Sequence, residues 1–260
     1  MLTRAEMNMI RQLHRKRVRE ENGLFLAEGP KTVAELLRLQ PDGKFRIRLM
    51  AGDEAWMEQH LQGAGNLPDR IEPVPQAEME RISLLEHPQK VMALVGLPAD
   101  TEWRGVGAGQ LFMVMDEIQD PGNTGTMIRL ADWFGLDGVI ATSGTADFYS
   151  PKVVQASMGS LFRVPLYSME TGTLISQLSS DIEVTGTSLK GENLYHCELP
   201  KSGLIVLGNE SRGMHEDWNP VVSKWIRIPS HGNDAQKAES LNVAIAAAIV
   251  CSEFRRRASG

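Results

Sequence analysis

The sequence predicts an α/β protein, and three observations carry that prediction. Apolar runs of strand length alternate with segments of helical spacing along almost the whole chain, which is the pattern of βα units. Several runs, such as Leu111 to Met115 and Leu204 to Leu207, are apolar without alternation, as strands buried on both faces of a parallel sheet are. The pattern is interrupted once, by the polar, glycine-rich stretch Pro98-Ala-Asp-Thr-Glu-Trp-Arg-Gly-Val-Gly-Ala-Gly-Gln110. This stretch divides the 260 residues into a small α/β domain at 1–98, a linker at 99–109 and a second domain at 110–260 with a mostly parallel sheet. Two domains suit the length, at about 150 residues each.

Taken in order, residues 3 to 20 predict a helix, with Met7, Ile10, Leu13 and Val18 at roughly helical spacing and a strongly basic remainder. Glu21-Asn-Gly23 stops it. Leu24 to Gly29 is a strand, and Pro30 suits the first turn of a helix at 31–39. Strands at 45–50, 71–74 and 91–97 alternate with helices at 54–61 and 77–85 to complete the first domain. Beyond the linker, the strand Leu111 to Met115 leads through a loop to a helix at 126–134, then to a strand at 138–141. Ser150-Pro151 opens a helix that runs to Gly159. Strands at 161–166 and 182–186 flank a helix at 173–178; strands at 204–207 and 225–229 follow, and a last helix opens near Ser240.

The composition excludes several classes. With 23% charged and 42% hydrophobic residues the chain is an ordinary globular protein, and no run of about eighteen apolar residues is present to span a bilayer. No apolar segment follows the first basic residue, so a cytoplasmic location is expected. Cys197 and Cys251 stand alone and the six histidines are scattered, which predicts buried thiols and no metal site. A net charge of −6 argues against nonspecific coating of nucleic acid, but two local patches are basic. Arg11, Arg15, Lys16, Arg17 and Arg19 crowd the first helix, and Arg255-Arg-Arg257 ends the last, where it also suits the negative end of the helix dipole. Each patch reads equally as a solvated helix face.

Function points to the strand exits of the second domain. After Leu207 the chain turns through Gly208-Asn-Glu-Ser-Arg-Gly213, where two glycines let Asn209, Glu210, Ser211 and Arg212 present backbone N–H groups and a carboxylate to a ligand. A second strand ending at Pro229 and a helix opening near Ser240 repeat the arrangement, which predicts a small-molecule site. Asp116-Glu-Ile-Gln-Asp-Pro-Gly-Asn-Thr-Gly125 combines turn residues with chemistry, although by residue type alone Asn123 suits a cap or turn and Arg129 an ion pair. The cluster Gly105-Val-Gly107-Ala-Gly109 is no dinucleotide loop, because it precedes a strand instead of following one.

Three stretches together resemble the signature motifs of the SpoU (TrmH) family of RNA ribose 2′-O-methyltransferases, in the SPOUT class. They are Asp120-Pro-Gly-Asn-Thr-Gly-Thr-Met-Ile-Arg129, Leu204 to Gly213, and Ile226-Arg-Ile-Pro229 with Ser240-Leu-Asn-Val243, in the family's order. Lys152-Val-Val-Gln-Ala-Ser-Met-Gly159 is similar to a lesser family segment, and the N-terminal part with Phe25-Leu-Ala-Glu-Gly29 looks like the ribosomal-protein-L30-like substrate-binding domain of many members. The resemblance implies an α/β fold with a SPOUT-type parallel sheet and a deep trefoil knot in the second domain, beside the smaller N-terminal α/β L30-like domain. It further implies S-adenosylmethionine bound in the knotted loops, and a homodimer that shares each active site.

Carried over residue by residue, the resemblance implies catalytic roles for Asn123, Arg129, Glu210, Ser240 and Asn242. It implies cofactor contacts, mainly from the main chain, at Leu207, Gly208, Asn209, Ile228, Pro229 and Leu241. Arg129 would meet the phosphate beside the target ribose, and Arg15, Lys16, Arg17 and Arg19 would bind RNA. The substrate implied is structured RNA, with ribosomal RNA preferred over transfer RNA because of the separate N-terminal domain. The sequence departs from the family pattern in a longer segment between Pro229 and Ser240, in Ala244 for a common serine, and in Gln155 for a common arginine. Two other classes are weighed: a noncatalytic RNA-binding or ribosome-assembly factor, and an α/β protein for another nucleotide. Retention of the five polar residues speaks against the first, and the lack of a Gly-x-x-x-x-Gly-Lys-Ser/Thr loop against the second.

Overall fold

The structure, a computed structural model, describes residues 1–39, 44–99, 101–231 and 240–258. Two compact units emerge, Met1–Asp100 with Asp147–Phe162, and Thr101–Ala146 with Arg163–Gly260.

The first unit begins with two helices where one was expected, α1 (Arg4–Gln12) and α2 (Lys16–Asn22). Thr3 and Glu6 form a reciprocal capping box at the start of α1. The break falls at residues 13–15, where the Leu13 carbonyl accepts a hydrogen bond of 2.7 Å from the Arg19 guanidinium. Gly23, at φ +62°, ends α2 in the left-handed conformation. Then come β1 (Leu24–Glu28), α3 (Pro30–Arg38), β2 (Ile47–Gly52), α4 (Glu54–Leu61), β3 (Ile71–Pro73), α5 (Gln76–Ile82) and β4 (Val91–Gly96). The strands form a mixed sheet of order β1-β4-β2-β3 in which only β2 and β3 are parallel. Ile10, Leu13, Leu26, Leu49, Met79, Ile82 and Leu94 fill one core.

Arg19 corrects an expectation. It is buried, pairs with Asp147 at 3.1 Å within the first unit, and is therefore a structural residue that presents nothing to RNA. Arg15, Lys16 and Arg17 are exposed, as a binding face requires.

The second unit contains β5 (Leu111–Met115), α6 (Pro121–Trp133), β6 (Gly138–Thr142), β7 (Leu166–Met169), α8 (Thr171–Ser176), β8 (Val184–Asn193), β9 (Gly203–Leu207), β10 (Lys224–Arg227) and α9 (Val243–Ala258). Helix α7 (Pro151–Ser157) belongs to the first unit, although β6 before it and β7 after it belong to the second. All six strands are parallel, in the order β10-β8-β9-β5-β6-β7. The strand expected at 161–166 begins only at Leu166, because Ser160–Phe162 winds into a turn of 3₁₀ helix. Strand β8 runs past its expected end: its pairing with β10 jumps from Gly186 to Glu192 between consecutive β10 residues, leaving Thr187 to Gly191 out of register. Phe112, Val114, Ile140, Leu174, Val184, Leu204, Val206 and Trp218 make the core. Trp103, in the stretch expected as linker, is buried against Phe112 in an edge contact. No helix among the described residues is long and apolar enough to cross a membrane.

Candidate active site

The carboxyl ends of β5, β9 and β10 and the amino ends of α6 and α9 carry the candidate residues. Helix α6 starts five residues earlier than expected. Asp120 caps it, its carboxylate accepting 2.7 Å from the Asn123 amide, and Pro121 occupies the first position. Asn123 thus sits in the first turn of a helix, not in a loop. Arg129 lies six residues on, about 9 Å further along the axis.

Beyond β9 the chain makes a closed loop. Asn209 and Gly213 exchange two backbone hydrogen bonds of 2.9 Å, and the Asn209 side-chain oxygen accepts from the Ser211 and Arg212 amides. The Asn209 Nδ2 donates 2.9 Å to the Glu117 carbonyl. A Cβ at position 208 would lie 2.3 Å from the Met214 nitrogen and 2.4 Å from the Gly213 carbonyl carbon, so the loop's own return demands glycine there.

Helix α9 is capped by Asn242, whose Oδ1 accepts from the amides of Ala244 at 3.0 Å and Ile245 at 3.3 Å. Its Nδ2 donates 2.9 Å to Asn123 Oδ1, and Asn123 Nδ2 donates 2.6 Å to Glu210. One residue from each signature stretch is thereby joined, across 119 and 87 positions of sequence. The amide orientations follow from the donors: with Asn242 Oδ1 taken by N–H groups, only Nδ2 can face Asn123, and Asn123 must then turn its own Nδ2 to the acceptor-only carboxylate.

The remaining candidates stand outside this chain of bonds. Arg129 and Ser240 are exposed, and their side chains make no hydrogen bond or ion pair with any described residue. None of Asn123, Glu210, Ser240 and Asn242 bonds to the Arg129 side chain in this structure. Of the cofactor candidates, Leu207 is buried with its carbonyl taken by the Asp116 amide, and Asn209 is committed to its loop. Gly208, Ile228 and Leu241 differ: their backbone N–H and C=O groups bond to no described residue. Gly208, Ile228 and Pro229 are half-buried and Leu241 is exposed. Ala244 is buried in the first turn of α9. The segment 232–239, which holds the expected long loop, lies outside the described residues.

Four residues that sequence reasoning left aside support the loop. Asp116 accepts from Thr142 Oγ1 and the His215 amide, and Glu117 pairs with Arg212 at 2.6 Å. Glu117 adopts φ +57°, an uncommon value for a side chain other than glycine. Asp120-Pro121 carried a readable helix-start signal; the roles of Asp116, Glu117, Thr142 and Arg212 depend on strand order and had none.

Comparison with known proteins agrees with this geometry. The pattern of the SpoU rRNA Methylase family matches residues 110–252, and that of the MRM3-like substrate binding domain matches residues 5–93. The Bacillus subtilis protein named 23S rRNA (guanosine(2553)-2′-O)-methyltransferase RlmP is 30% identical over 248 residues, 94% of each chain. Among solved structures, a TrmH-family protein from Porphyromonas gingivalis superposes with a TM-score of 0.84 at 38% identity, covering 99% of both chains. The AdoMet-bound rRNA methyltransferase from Sinorhizobium meliloti gives 0.82 at 29% identity over 99% of this chain and 96% of that one. With a catalytic-domain pattern that spans more than half of its residues and all three signature stretches meeting at one site, the chain belongs to the SpoU rRNA methylase family.

Proposed function

We propose that the protein transfers a methyl group from S-adenosylmethionine to a ribose 2′-hydroxyl of structured RNA, with ribosomal RNA as the substrate class. The observation that carries the proposal is the Asn242–Asn123–Glu210 chain of bonds at the strand exits. The AdoMet-bound S. meliloti relative supports the choice of cofactor, and the rRNA enzyme of B. subtilis the choice of RNA.

The residues fit the cofactor. Main-chain donors and acceptors at Gly208, Ile228 and Leu241 that bond to no described residue, with Pro229 beside Ile228, suit an adenosine that must be read by hydrogen bonds and covered by apolar surface. When bound, the sulfonium supplies an activated methyl group and leaves as a neutral thioether. The chain's task is alignment, since in-line displacement gains most from fixed geometry. Arg129, exposed and with no side-chain partner among the described residues, suits the phosphate next to the target ribose. Its guanidinium, charged at any working pH, stabilises developing negative charge better than it removes a proton. Of the three joined side chains only Glu210 can accept a proton.

RNA is held by the first unit in this reading. Arg15 is exposed, and the exposed pairs Lys16–Glu20 and Arg17–Glu21 are weak enough to exchange for phosphates. The knot and the homodimer implied by the resemblance belong to the same proposal. Support for the homodimer comes from the exposed apolar side chains of Trp133 on α6 and Ile245 on α9.

The test is transfer of labelled methyl from S-adenosylmethionine to total RNA of a strain lacking the gene, followed by fractionation. The expected result is label in ribosomal RNA at one alkali-resistant position. Arg129→Ala should abolish transfer while cofactor affinity stays the same. Label in transfer RNA would redirect the substrate, and a wild-type protein that binds no S-adenosylmethionine would sink the enzyme reading in favour of a noncatalytic RNA-binding factor.

A further inference from the structure

We infer that Asp116, a residue of no expected role, positions the cofactor loop, and that its buried carboxylate sets the affinity for S-adenosylmethionine without touching the RNA. The inference rests on the methyltransferase reading above. Asp116 directly follows β5, one of the two central strands, and is wholly buried. No cationic side chain pairs with it among the described residues, and a buried carboxyl without one is costly unless hydrogen bonds replace its water.

Those bonds tie the two ends of the loop after β9 to the end of β6. Oδ2 accepts 2.6 Å from the His215 amide, just beyond Gly213 and Met214, and Oδ1 accepts 2.9 Å from Thr142 Oγ1. The Asp116 amide donates 2.9 Å to the Leu207 carbonyl, immediately before Gly208. One residue therefore fixes both ends of the segment 207–215. Its neighbour completes the clamp: the Glu117 carbonyl accepts from Asn209 Nδ2 and its carboxylate pairs with Arg212. Thr142 Oγ1 accepts 3.1 Å from the Glu117 amide, tying this corner to the end of β6.

The segment so held carries Glu210, which takes the Asn123 amide, and Gly208, whose main chain is free for adenosine. Releasing the His215 end lets the loop rotate about Gly208 and Gly213. Cofactor affinity then falls because the ordering of that main chain must be paid at binding. RNA contacts on the first unit have no part in these bonds.

Asp116→Ala and Asp116→Asn test this, with Thr142→Val as a milder variant should the first fail to fold. Asparagine keeps the geometry: its Oδ1 can accept from the His215 amide while its Nδ2 donates to Thr142 Oγ1. The expected result is a rise of about tenfold or more in the S-adenosylmethionine Kd for Asp116→Ala, the low end for losing a hydrogen bond to a charged group. RNA affinity should be unchanged, Asp116→Asn should recover most of the loss, and Thr142→Val should fall between. Amide exchange should quicken at residues 209–215 in Asp116→Ala while β5 stays protected. Unaltered cofactor affinity, or cofactor and RNA affinity falling together, overturns the inference. The exchange arm stands apart from the functional reading: unchanged protection of 209–215 overturns the positioning role whatever the protein binds.

Discussion

At the residue scale, the site depends on the orientation of two side-chain amides, those of Asn242 and Asn123. Asn242 accepts with one atom at the start of α9 and donates with the other to Asn123, which donates in turn to Glu210. Donor polarity therefore runs from a helix N-terminus to a carboxylate, and each link fixes the next. Asn242→Asp changes one atom of this chain and keeps the helix cap. An oxygen would then face Asn123 Oδ1, and flipping Asn123 would only move the clash to Glu210. Transfer should fall by at least tenfold, about 1.5 kcal/mol or more, with α9 intact by circular dichroism. Near-normal turnover in Asn242→Asp would show that the relay is incidental. Cys251 supplies a second residue-scale expectation. Burial pushes its thiol up to about 12, so the native protein at pH 8 should leave it unlabelled by iodoacetamide while urea exposes it; rapid native labelling, read by peptide mass, would contradict the packing.

At the scale of elements, α9 is held at both ends, and its C-terminal end is pH-sensitive. Glu253 lies between Arg256 and Arg257, whose guanidinium groups hold its carboxyl down at about 2. Arg257 continues to the Leu194 and Cys197 carbonyls, and Arg255 to those of Phe134 and Gly135. The basic triplet is thus a structural clasp more than a solvated face. A carboxyl whose pKa is depressed in the folded state contributes stability that is complete above its ordinary value of 4.5 and is lost as pH falls through the folded one. Exchange protection of α9 should therefore decline between pH 5 and about 2, and Glu253→Gln should remove that dependence. A variant with the wild-type profile would assign the acid response elsewhere. The same scale shows why parts of the fold were legible. Apolar runs located the strands except β7, whose expected span 161–166 meets the observed strand only at Leu166, and Gly23 and Pro30 marked their helix boundaries correctly because each acts through its own backbone. The early start of α6 was written in Asp120-Pro121 as well, but the chemistry of the following residues read as loop. By contrast, the break between α1 and α2 depends on Arg19 reaching Leu13 and Asp147, and no local spacing reports a contact made that far along the chain.

For the whole molecule, periodicity announced a parallel sheet but not its order. That β9 lies between β8 and β5 decides which turns meet, and only then do Asn123, Glu210 and Asn242 become neighbours. Motif resemblance located these residues where residue type alone left them as caps and ion pairs. The second unit also leaves apolar surface without a partner. Trp133 on α6 is 83% exposed and Ile245 on α9 is 54% exposed. Ala248 and Ile249, near Ile245 at helical spacing, are only half-buried. These two helices pack together and carry Arg129 and the Asn242 cap, so whatever covers them also borders the site. Apolar surface of this kind marks an interaction face, and a second copy of the chain is the partner the family resemblance implies. Light scattering at micromolar concentration should return twice the 28.7 kDa chain mass. Ile245→Glu or Trp133→Glu should shift the protein to a monomer, since a charge buried at such a face is costly when unpaired. If the shared-site reading holds, those monomers keep the fold and lose methyl transfer together. A monomeric wild type, or a monomeric variant with full activity, would confine the whole reaction to one chain and leave Arg129 to act beside its own Asn123 and Glu210.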